Sequence, residues 1–357
     1  MRNLKSYAED RAERDTDAVA WALPVVARHS AQIIAIIPAF RAAATICAVV
    51  RQTLPFVAHV VVVDDACPEG SGACVIDAAF GPSVTVLRNP HNLGVGGAMK
   101  RGYAEALRRD ADILVKIDAD GQMDATSIPV LTRRLVLAQA DYAKGNRFAP
   151  HHRMPARSDH DTARPMPLAR RLGNNLLSFV HKGVTGYWNI VDPANGFTAV
   201  HRRALESIDL ARVADGYFFE TDMLFQLNLV DAVVTDVALP AHYAGEHSSL
   251  RIRHVARDFP GLALHRFLKR IWIKYFLQDF NVASIELLLG LPLLLLGVVL
   301  GLYHWTEALS SGVPSTAGTV MFAALPIIIG FQLLLSAISY DINARPIAPL
   351  CREGACP

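Results

Sequence analysis

The sequence predicts an α/β domain built on a mostly parallel sheet, followed by interfacial helices and a hairpin of two membrane-spanning helices. Short β-branched runs alternate with helical stretches from residue 31 onward, as in doubly wound sheets. Two long apolar runs lie near the end of the chain. Of the 357 residues, 52% are hydrophobic and only 19% are charged, which excludes a disordered tail and a nucleic-acid-binding arm. The net charge of +2 points to no particular class of partner, and no nucleic acid partner is expected.

The chain starts with a charged extension, residues 1–30, which lacks the apolar core of a signal peptide. We therefore expect a solvated extension, and no export of the domain that follows it. Five cysteines in so long a chain make no disulfide framework, and their spacing is not that of a zinc site. Free thiols in a reducing compartment are expected.

Four apolar segments predict the first strands of the sheet. Because they are apolar almost throughout, they suit strands that are covered on both faces. The segments span 32–37, 59–64, 83–88 and 112–118, with helical candidates at 43–53, 72–79, 96–109 and 126–139. Ligands of such sheets bind at the carboxyl ends of the strands. The loops after the four strands are therefore expected to form one site.

A pair of aspartates marks the end of the fourth strand. Asp118 and Asp120 lie two positions apart, so their side chains can point the same way, and Gln122 follows at the same spacing. Carboxylate and amide oxygens suit Mg²⁺ or Mn²⁺, which keeps open positions for phosphate oxygens. Short Asp-x-Asp-Gly strings also form solvated turns. The place of this string after the fourth strand favours the metal site.

Residues after the first two strands suit a nucleotide. Asp64 and Asp65 end the second strand, where a carboxylate can accept hydrogen bonds from a base or a ribose, although aspartate also suits turns and caps. Asp65 is the favoured contact of the two. Phe40 follows the first strand and offers a ring on which a base can stack, with ordinary packing as the alternative.

A glycine-rich stretch, residues 92–97, follows the third strand. A lone glycine pattern is weak evidence, and its place after the third strand argues against a dinucleotide. Glycines before a helix nevertheless allow close approach of the backbone to a nucleotide. Asn92, Gly94 and Lys100 are therefore candidate contacts of the donor.

The segment from residue 147 to residue 171 is rich in arginine and proline. It holds six arginines and three histidines against two aspartates. Such segments are usually solvated, but beside a diphosphate and a membrane, arginine suits bidentate phosphate contacts. We expect Arg147 and at least one of Arg170 and Arg171 to contact phosphate.

Further candidates lie in the second half of the domain. Asn195 lies in a turn before a strand, and Glu220 and Asp222 open a helix. Both acids are candidate bases, although acids favour the first turn of any helix. A polar loop at 242–248 precedes a basic, aromatic helix at about 254–278, which suits the membrane interface or, alternatively, an ordinary amphipathic surface.

Residues 281–303 and 318–340 are each long enough to cross about 30 Å of hydrocarbon as helices. The first carries only Glu286 as a formal charge, and the second carries none. The loop between them lacks Lys and Arg, whereas the segment before them is basic, so the positive-inside rule places the large domain and the tail, 344–357, on the cytoplasmic side of the inner membrane. Small residues in the spans allow pairing between copies, as a homo-oligomer. The alternative is a buried helical hairpin of a soluble protein.

These motifs, taken in order, resemble the family 2 glycosyltransferases with a GT-A fold. They are most similar to the polyprenyl-phosphate glycosyltransferases, the dolichol-phosphate mannose synthase-like branch. The matching motifs are IIPAF (36–40), VVDDAC (62–67), NLGVGGAMKRGY (92–103), KIDADGQ (116–122), GNRF (145–148), DPANGF (192–197) and FFETDMLFQL (218–227). By this resemblance a GT-A domain spans 31–250 and the two membrane helices span 281–343. The amphipathic juxtamembrane helix predicted from the residue pattern lies between them, at 251–280.

The resemblance implies an inverting transfer of a sugar from a UDP- or GDP-linked donor to polyprenyl (undecaprenyl) phosphate, with the metal neutralising the departing diphosphate. The residues that would carry these roles are, for the metal, Asp118, Asp120 and Gln122; for the base, Pro38, Phe40 and Asp65; and for the acceptor phosphate, Arg147 with Arg170 or Arg171. Family members usually have Asn-Glu after the aromatic residue of the first loop, whereas this chain has Arg41-Ala42, so the nucleotide stays open.

The alternative acceptor is a hydroxyl of a lipid-linked glycan or of another lipid in cell-surface polysaccharide synthesis. A phosphate acceptor is already anionic and needs no strong base. In that case Glu220 and Asp222 would only orient groups. A hydroxyl acceptor would require one of these two acids to remove a proton.

Overall fold

The computed structural model describes residues 31–147, 168–193, 195–239 and 252–351, without the side chains of 168–176 and 252–258. The predicted extension at 1–30 and the polar loop at 242–248 lie outside the described residues, as does most of the arginine-rich segment. The chain divides into two compact units. The first holds residues 1–266 and 346–357, and the second holds Phe267–Arg345.

One sheet runs through the first unit, and its described strands follow the order β3-β2-β1-β4-β6-β5-β7. The strands are β1 Ile33–Ala39, β2 His59–Asp64, β3 Val84–Arg88, β4 Ile113–Lys116, β5 Tyr142–Asn146, β6 Thr198–His201 and β7 Val234–Ala238. β1 to β4 are parallel, β6 runs antiparallel to both of its neighbours, and β5 and β7 are parallel. The prediction of a mostly parallel sheet is confirmed.

Helices alternate with the first four strands, as the sequence predicted. The helices of the first unit are α1 Ile46–Thr53, α2 Ser71–Asp77, α3 Gly94–Arg108, α4 Ile128–Val136, α5 Leu168–Thr185, α6 Arg202–Glu206 and α7 Phe219–Leu229. Short 3₁₀ turns lie at Leu54–Phe56, Ala125–Ser127 and Leu210–Arg212. The predicted interfacial helix is α8 Ile252–Trp272, which is followed by a π-helical turn, Ile273–Gln278.

The strands are apolar almost throughout because both faces of the sheet are covered. In β1, Ile34 and Ile36 belong to one buried cluster, whereas Ala35 and Ile37 belong to another. This alternation follows from the strand period, since successive side chains point to opposite faces. Burial of each large aliphatic side chain contributes about 1.5–3 kcal/mol relative to exposure. The double core therefore fixes the strand ends that carry the polar loops.

The second unit contains two helices that are long and apolar enough to cross a membrane, α9 Val282–Ser311 and α10 Ala317–Asn343. The predicted spans are confirmed as helices, but α9 continues past residue 303 to Ser311. A Cβ at Gly297 or Gly330 would collide with backbone atoms of the facing helix. Close approach through small residues is the usual way in which helices pair in membranes.

The expectation of free thiols holds only in part. Cys47, Cys67 and Cys74 carry free thiols, whereas Cys351 is disulfide-bonded. Cys351 is buried, and its backbone N–H donates to Asp141 at 3.3 Å, because the segment after α10 belongs to the first unit. The spacing of the cysteines in the sequence does not reveal this return of the chain.

Candidate active site

The loops after β1, β2 and β4 emerge at one edge of the sheet. β1 lies between β2 and β4 and pairs in parallel with both, so their carboxyl ends are adjacent. The register pairs Ala39 with Asp64 and Ile36 with Lys116. The predicted residues that follow these strands therefore belong to neighbouring loops, as the sequence indicated.

The loop after β4 holds the predicted metal ligands. Asp118 is half-buried and Asp120 is exposed. The backbone N–H of Gln122 donates to Asp120 Oδ1 at 3.0 Å. The loop is also tied to the start of α1, because Thr45 Oγ1 donates to the Ala119 carbonyl at 2.6 Å. Two carboxylates are thus presented on one short, anchored turn.

The donors of this loop fit a hard divalent cation whose remaining ligands come from a substrate. Among the described residues, no group of three His, Cys, Asp or Glu side chains lies close enough together to hold a metal ion. Mg²⁺ is commonly bound through one or two carboxylates, with substrate phosphates completing the site. Asp118 and Asp120 offer that number of carboxylates. Their joint ligation of one ion stays a prediction.

A buried lysine, to which the sequence analysis assigned no role, contacts the first of these acids. Lys116 ends β4 with 2% of its side chain exposed, and its Nζ lies 2.7 Å from Asp118 Oδ1 and 3.1 Å from Glu220 Oε1. Burial by itself lowers the pKa of Lys116, but the two carboxylates outweigh it and hold that pKa above its usual value. The available signal was a lysine in an otherwise apolar strand, since a buried lysine almost always has a partner.

Gly196 makes room for this ion pair. A Cβ at Gly196 would lie 2.5 Å from both Lys116 Nζ and Asp118 Oδ2, so a side chain there would displace the pair. Lys116 Nζ also donates to the Gly196 carbonyl at 3.3 Å. The turn before β6 therefore leaves room for the Lys116 ammonium group at the end of β4 and accepts a hydrogen bond from it.

The two aspartates after β2 are buried and already accept hydrogen bonds. Asp64 accepts from two backbone N–H groups in the turn into α2, at 2.7 and 2.9 Å. Asp65 accepts from the Asn89 side-chain amide at 2.6 Å and from the N–H of Gly94 at 2.8 Å. Both carboxylates therefore organise the loops around them. Contact of either with a base or a ribose stays a prediction.

The glycine-rich stretch packs against another part of the same unit. Gly94 has a φ of +79°, and a Cβ there would lie 2.7 Å from the Asp215 carbonyl oxygen. The N–H of Gly96 donates to that oxygen at 2.7 Å, and Lys100 Nζ lies 2.7 Å from the Asp215 carboxylate. The close backbone approach expected for a nucleotide is made here by the chain itself, because a glycine pattern does not specify what approaches it. Asn92 is exposed, and its contact with the donor is untested.

A buried aspartate holds Arg147 in place. Arg147 Nε and Nη2 donate to the two oxygens of Asp192 at 2.7 and 3.1 Å, and Asp192 is almost fully buried. Such a bidentate pair fixes the plane of the guanidinium. Arg170 and Arg171 lie in α5, but their side chains are outside the described residues. The expected phosphate contacts of these arginines are therefore not tested by the structure.

A second buried lysine, also missed by the motifs, lies in β5. Lys144 is fully buried, and its Nζ donates to the Asn195 carbonyl at 2.5 Å. Burial lowers the pKa of Lys144 to about 8, against the opposing effects of Glu220 and Asp192. Asn195 Oδ1 accepts from the N–H of Phe197 at 3.0 Å, so the side chain predicted to contact substrate stabilises the turn before β6.

The two acids at the start of α7 are each paired with a cation. Glu220 pairs with Lys116, whereas Asp222 is fully buried and accepts from Arg266 at 2.6 and 3.0 Å. Asp222 Oδ2 also accepts from the N–H of Ala214 at 2.8 Å. These contacts argue against the expectation that Asp222 is a base, because a fully buried carboxylate with both oxygens engaged is not accessible to a substrate.

The first loop presents an aromatic ring and an arginine. Phe40 is 43% exposed, and Arg41 Cζ lies 5.5 Å from the centroid of its ring. Arg41 has a φ of +55°, which is a strained conformation for a residue with a side chain, and its N–H donates to Cys67 Sγ at 3.0 Å. Pro38 is half-buried near the end of β1. Stacking of a base on Phe40 and contact with Pro38 remain predictions.

The chain is similar in sequence to known glycosyltransferases. The sequence profile described as Glycosyl transferase family 2 matches residues 34–209. An undecaprenyl-phosphate mannosyltransferase of Micrococcus luteus is 31% identical over 182 residues, covering 50% of this chain and 70% of that protein. A polyprenol monophosphomannose synthase of Mycolicibacterium smegmatis is 30% identical over 216 residues, covering 57% of this chain and 74% of that protein.

The fold is also similar to solved structures. A glucosyl-3-phosphoglycerate synthase from Mycobacterium tuberculosis, in complex with Mn²⁺, uridine diphosphate and phosphoglyceric acid, matches with a TM-score of 0.50 and 18% identity. The match covers 71% of this chain and 82% of that one. At this identity the likeness concerns the fold alone.

Proposed function

Because the chain belongs to glycosyltransferase family 2, we propose that this glycosyltransferase moves a sugar from a nucleotide-diphospho-sugar to a polyprenyl phosphate, with inversion at the anomeric carbon. The names of the two mannosyltransferase relatives support a polyprenyl phosphate as the acceptor. The ion pairs made by Glu220 and Asp222 in α7 support a phosphate acceptor independently of these names.

The pairing of each candidate base with a cation carries the proposal. A hydroxyl acceptor needs a base to remove its proton, whereas a phosphate is already anionic. Glu220 lies 3.1 Å from the Lys116 ammonium, and Asp222 is engaged by Arg266 at 2.6 Å. Neither acid suits the role of base. A phosphate acceptor needs only positioning and a cation that offsets its repulsion from the donor diphosphate.

Arg147 is proposed to supply that cation. Its guanidinium is oriented by Asp192, and 36% of the Arg147 side chain is exposed, so the side chain can reach a ligand while the plane of the guanidinium is fixed. Arginine binds phosphate through two parallel hydrogen bonds, which positions the acceptor oxygen as well as neutralising it. Arg170 and Arg171 share this role in the proposal.

The donor diphosphate is proposed to lie at the loop after β4, with the base near Phe40 and Asp65. A Mg²⁺ or Mn²⁺ ion held by Asp118, Asp120 and Gln122 would neutralise charge on the leaving diphosphate. The acceptor oxygen, held by Arg147, attacks the anomeric carbon from the face opposite the diphosphate. The bond from that carbon to the diphosphate oxygen breaks as the new bond forms, which inverts the configuration.

The second unit supports an enzyme that works at a membrane surface. α9 and α10 are long and apolar enough to cross the bilayer. The basic segment before α9 and the lack of Lys and Arg between the two helices favour a cytoplasmic catalytic unit on the inner membrane. A polyprenyl phosphate would present its head group on that side.

Transfer to a lone lipid phosphate tests the proposal. The purified full chain in detergent is given labelled UDP- and GDP-sugars with either undecaprenyl phosphate or a lipid-linked sugar. We expect a labelled lipid product with undecaprenyl phosphate, and its anomeric configuration, read by NMR, to be opposite to that of the donor. Product with the lipid-linked sugar alone would overturn the proposal.

Two substitutions in one loop separate the site from the fold. Asp120→Asn is expected to lower kcat by at least about a hundredfold, since it removes a charged metal ligand. Asp124→Asn is the matched control, because the Asp124 carboxylate accepts from the N–H of Thr126 at 2.9 Å and caps a 3₁₀ turn. We expect the control to keep its activity. Equal losses in the two variants would contradict the assignment of Asp120.

A further inference from the structure

We propose that Lys116 is a positioning residue, a resident cation on Asp118 that makes tight binding of a divalent ion depend on the donor diphosphate. The inference rests on the proposed function in one respect, namely that Asp118 is a ligand of that ion. It goes beyond the proposed function because it assigns an order to the loading of the site and a role to Lys116, for which the sequence analysis predicted none.

The ammonium group occupies an oxygen that a metal ion would use. Lys116 Nζ lies 2.7 Å from Asp118 Oδ1 and 3.1 Å from Glu220 Oε1, with 2% of the Lys116 side chain exposed. Loss of its partners would leave the charge of the buried Lys116 uncompensated, so this lysine is not easily separated from them. An ion that arrives at Asp118 therefore meets a carboxylate whose charge is already shared with a lysine.

The surrounding chain is built to keep the ammonium at this place. Gly196 has no side chain where a Cβ would lie 2.5 Å from Lys116 Nζ, and its carbonyl accepts from that nitrogen at 3.3 Å. The fold thus fixes positive charge beside the predicted metal ligands before any ligand binds.

Electrostatics then couples the ion to the donor. A divalent cation at Asp118 alone is repelled by the fixed ammonium, because like charges a few ångströms apart in a protein interact strongly. The two phosphates of a donor bring negative charge that offsets both cations. The ion should therefore bind well with the diphosphate and poorly without it, so that ion and diphosphate product also leave together.

Binding of Mn²⁺ to the full chain in detergent, followed by the EPR signal of the free ion, tests this without reference to turnover. Lys116→Met keeps most of the length of the side chain and removes its charge. We expect Lys116→Met to bind Mn²⁺ alone at least about tenfold more tightly than the wild type. With UDP or GDP at saturation, we expect the difference to shrink to about threefold or less.

Lys144→Met is the matched control, because it removes the buried ammonium that donates to a carbonyl group rather than to Asp118. We expect it to change the Mn²⁺ affinity by less than about threefold. Lys116→Arg keeps the charge and should behave as the wild type. Lys116→Gln is neutral and keeps a hydrogen-bond donor, so it repeats the test if the methionine variant does not fold.

An unchanged or weaker Mn²⁺ affinity in the neutral variants of Lys116 would overturn the inference. An equal gain in Lys144→Met would also overturn it, and so would a lack of Mn²⁺ binding in every variant. Failure of the proposed function has a different signature. In that case no lipid product forms, although the Mn²⁺ affinities of the Lys116 variants still differ as expected.

Discussion

Asp222, near the start of α7, forms an ion pair with Arg266, which favours a structural role for this carboxylate. It is fully buried, and Arg266 donates to both of its oxygens. The Arg266 guanidinium also lies 5.4 Å from the centroid of the Phe225 ring, which adds a cation–π contact. Arg266 is the last residue of the first unit before the chain enters the second. The ion pair therefore anchors this end of the first unit to α7.

Asp222→Asn is expected to lower the free energy of unfolding by about 3 kcal/mol, because it leaves Arg266 without its counter-charge. We expect kcat per folded molecule to change by less than about threefold. Thermal unfolding in detergent and initial rates measure the two quantities. Glu206→Gln removes an exposed pair with Arg202 and should change stability by less than about 0.5 kcal/mol. A large loss of kcat at unchanged stability would restore Asp222 as a base.

At the scale of elements, local patterns predicted the strands and the loops but not the partners of the buried charges. Apolar runs and turn residues are local signals, so β1 to β4 and the loop with Asp118 could be located from the sequence. The role of Lys116 depends on Glu220 and on the missing side chain of Gly196, both distant in sequence. Pairing between such positions leaves no periodic pattern, so only the folded chain reveals it.

The start of α3 shows the same limit for a glycine motif. The pattern predicted a close approach of the backbone to a nucleotide, since glycine leaves room for such an approach. In the structure the neighbour is the carbonyl group of Asp215, to which the N–H of Gly96 donates at 2.7 Å. The motif therefore joins α3 to the segment that leads into α7. A glycine pattern shows that some group comes close to the backbone, but it does not show which group.

Gly96→Ala is expected to lower the free energy of unfolding by about 1–3 kcal/mol, because the new Cβ would overlap the Ala214 carbonyl oxygen. Gly216→Ala is the matched control, because Gly216 follows the residues that Gly96 packs against but has nothing within 4 Å of an added Cβ. We expect this control to change the free energy of unfolding little. Urea unfolding and the KM for the donor are measured for both. A higher KM at unchanged stability in Gly96→Ala would instead support contact with the nucleotide.

At the scale of the whole molecule, the path of the chain constrains how many times it can cross a bilayer. In the sequence, the first unit contains the residues before the second unit, up to residue 266, and those after it, from residue 346. The N–H of Leu350 donates to Asp141 at 2.9 Å, and Leu350 packs against a core cluster of that unit. A chain that leaves a unit and returns to it must cross an even number of times. α9 and α10 are each long and apolar enough to supply one crossing, which makes two.

Within the second unit, the segment before α9 is bonded to the C-terminal part of α10. Arg270, which precedes α9, donates to both oxygens of Asp341 near the end of α10, at 2.6 and 2.9 Å. The Tyr275 hydroxyl donates to the same carboxylate at 2.5 Å. A buried charged pair of this kind belongs near the membrane surface rather than at its centre. This cluster and the path of the chain both support entry and exit on one side.

The proposed orientation predicts which positions a membrane-impermeant maleimide can reach. Ser315→Cys lies in the exposed loop between α9 and α10, and Ile347→Cys replaces a side chain that is 85% exposed after α10. We expect Ser315→Cys to be labelled in intact spheroplasts and Ile347→Cys only after permeabilisation, because two crossings put these positions on opposite sides of the membrane.

The wild type is the control for labelling of the natural thiols. These thiols belong to the first unit and should stay unlabelled in intact spheroplasts. Labelling of Ile347→Cys alone would reverse the orientation, and labelling of both variants or of neither in intact cells would contradict a hairpin that crosses the membrane.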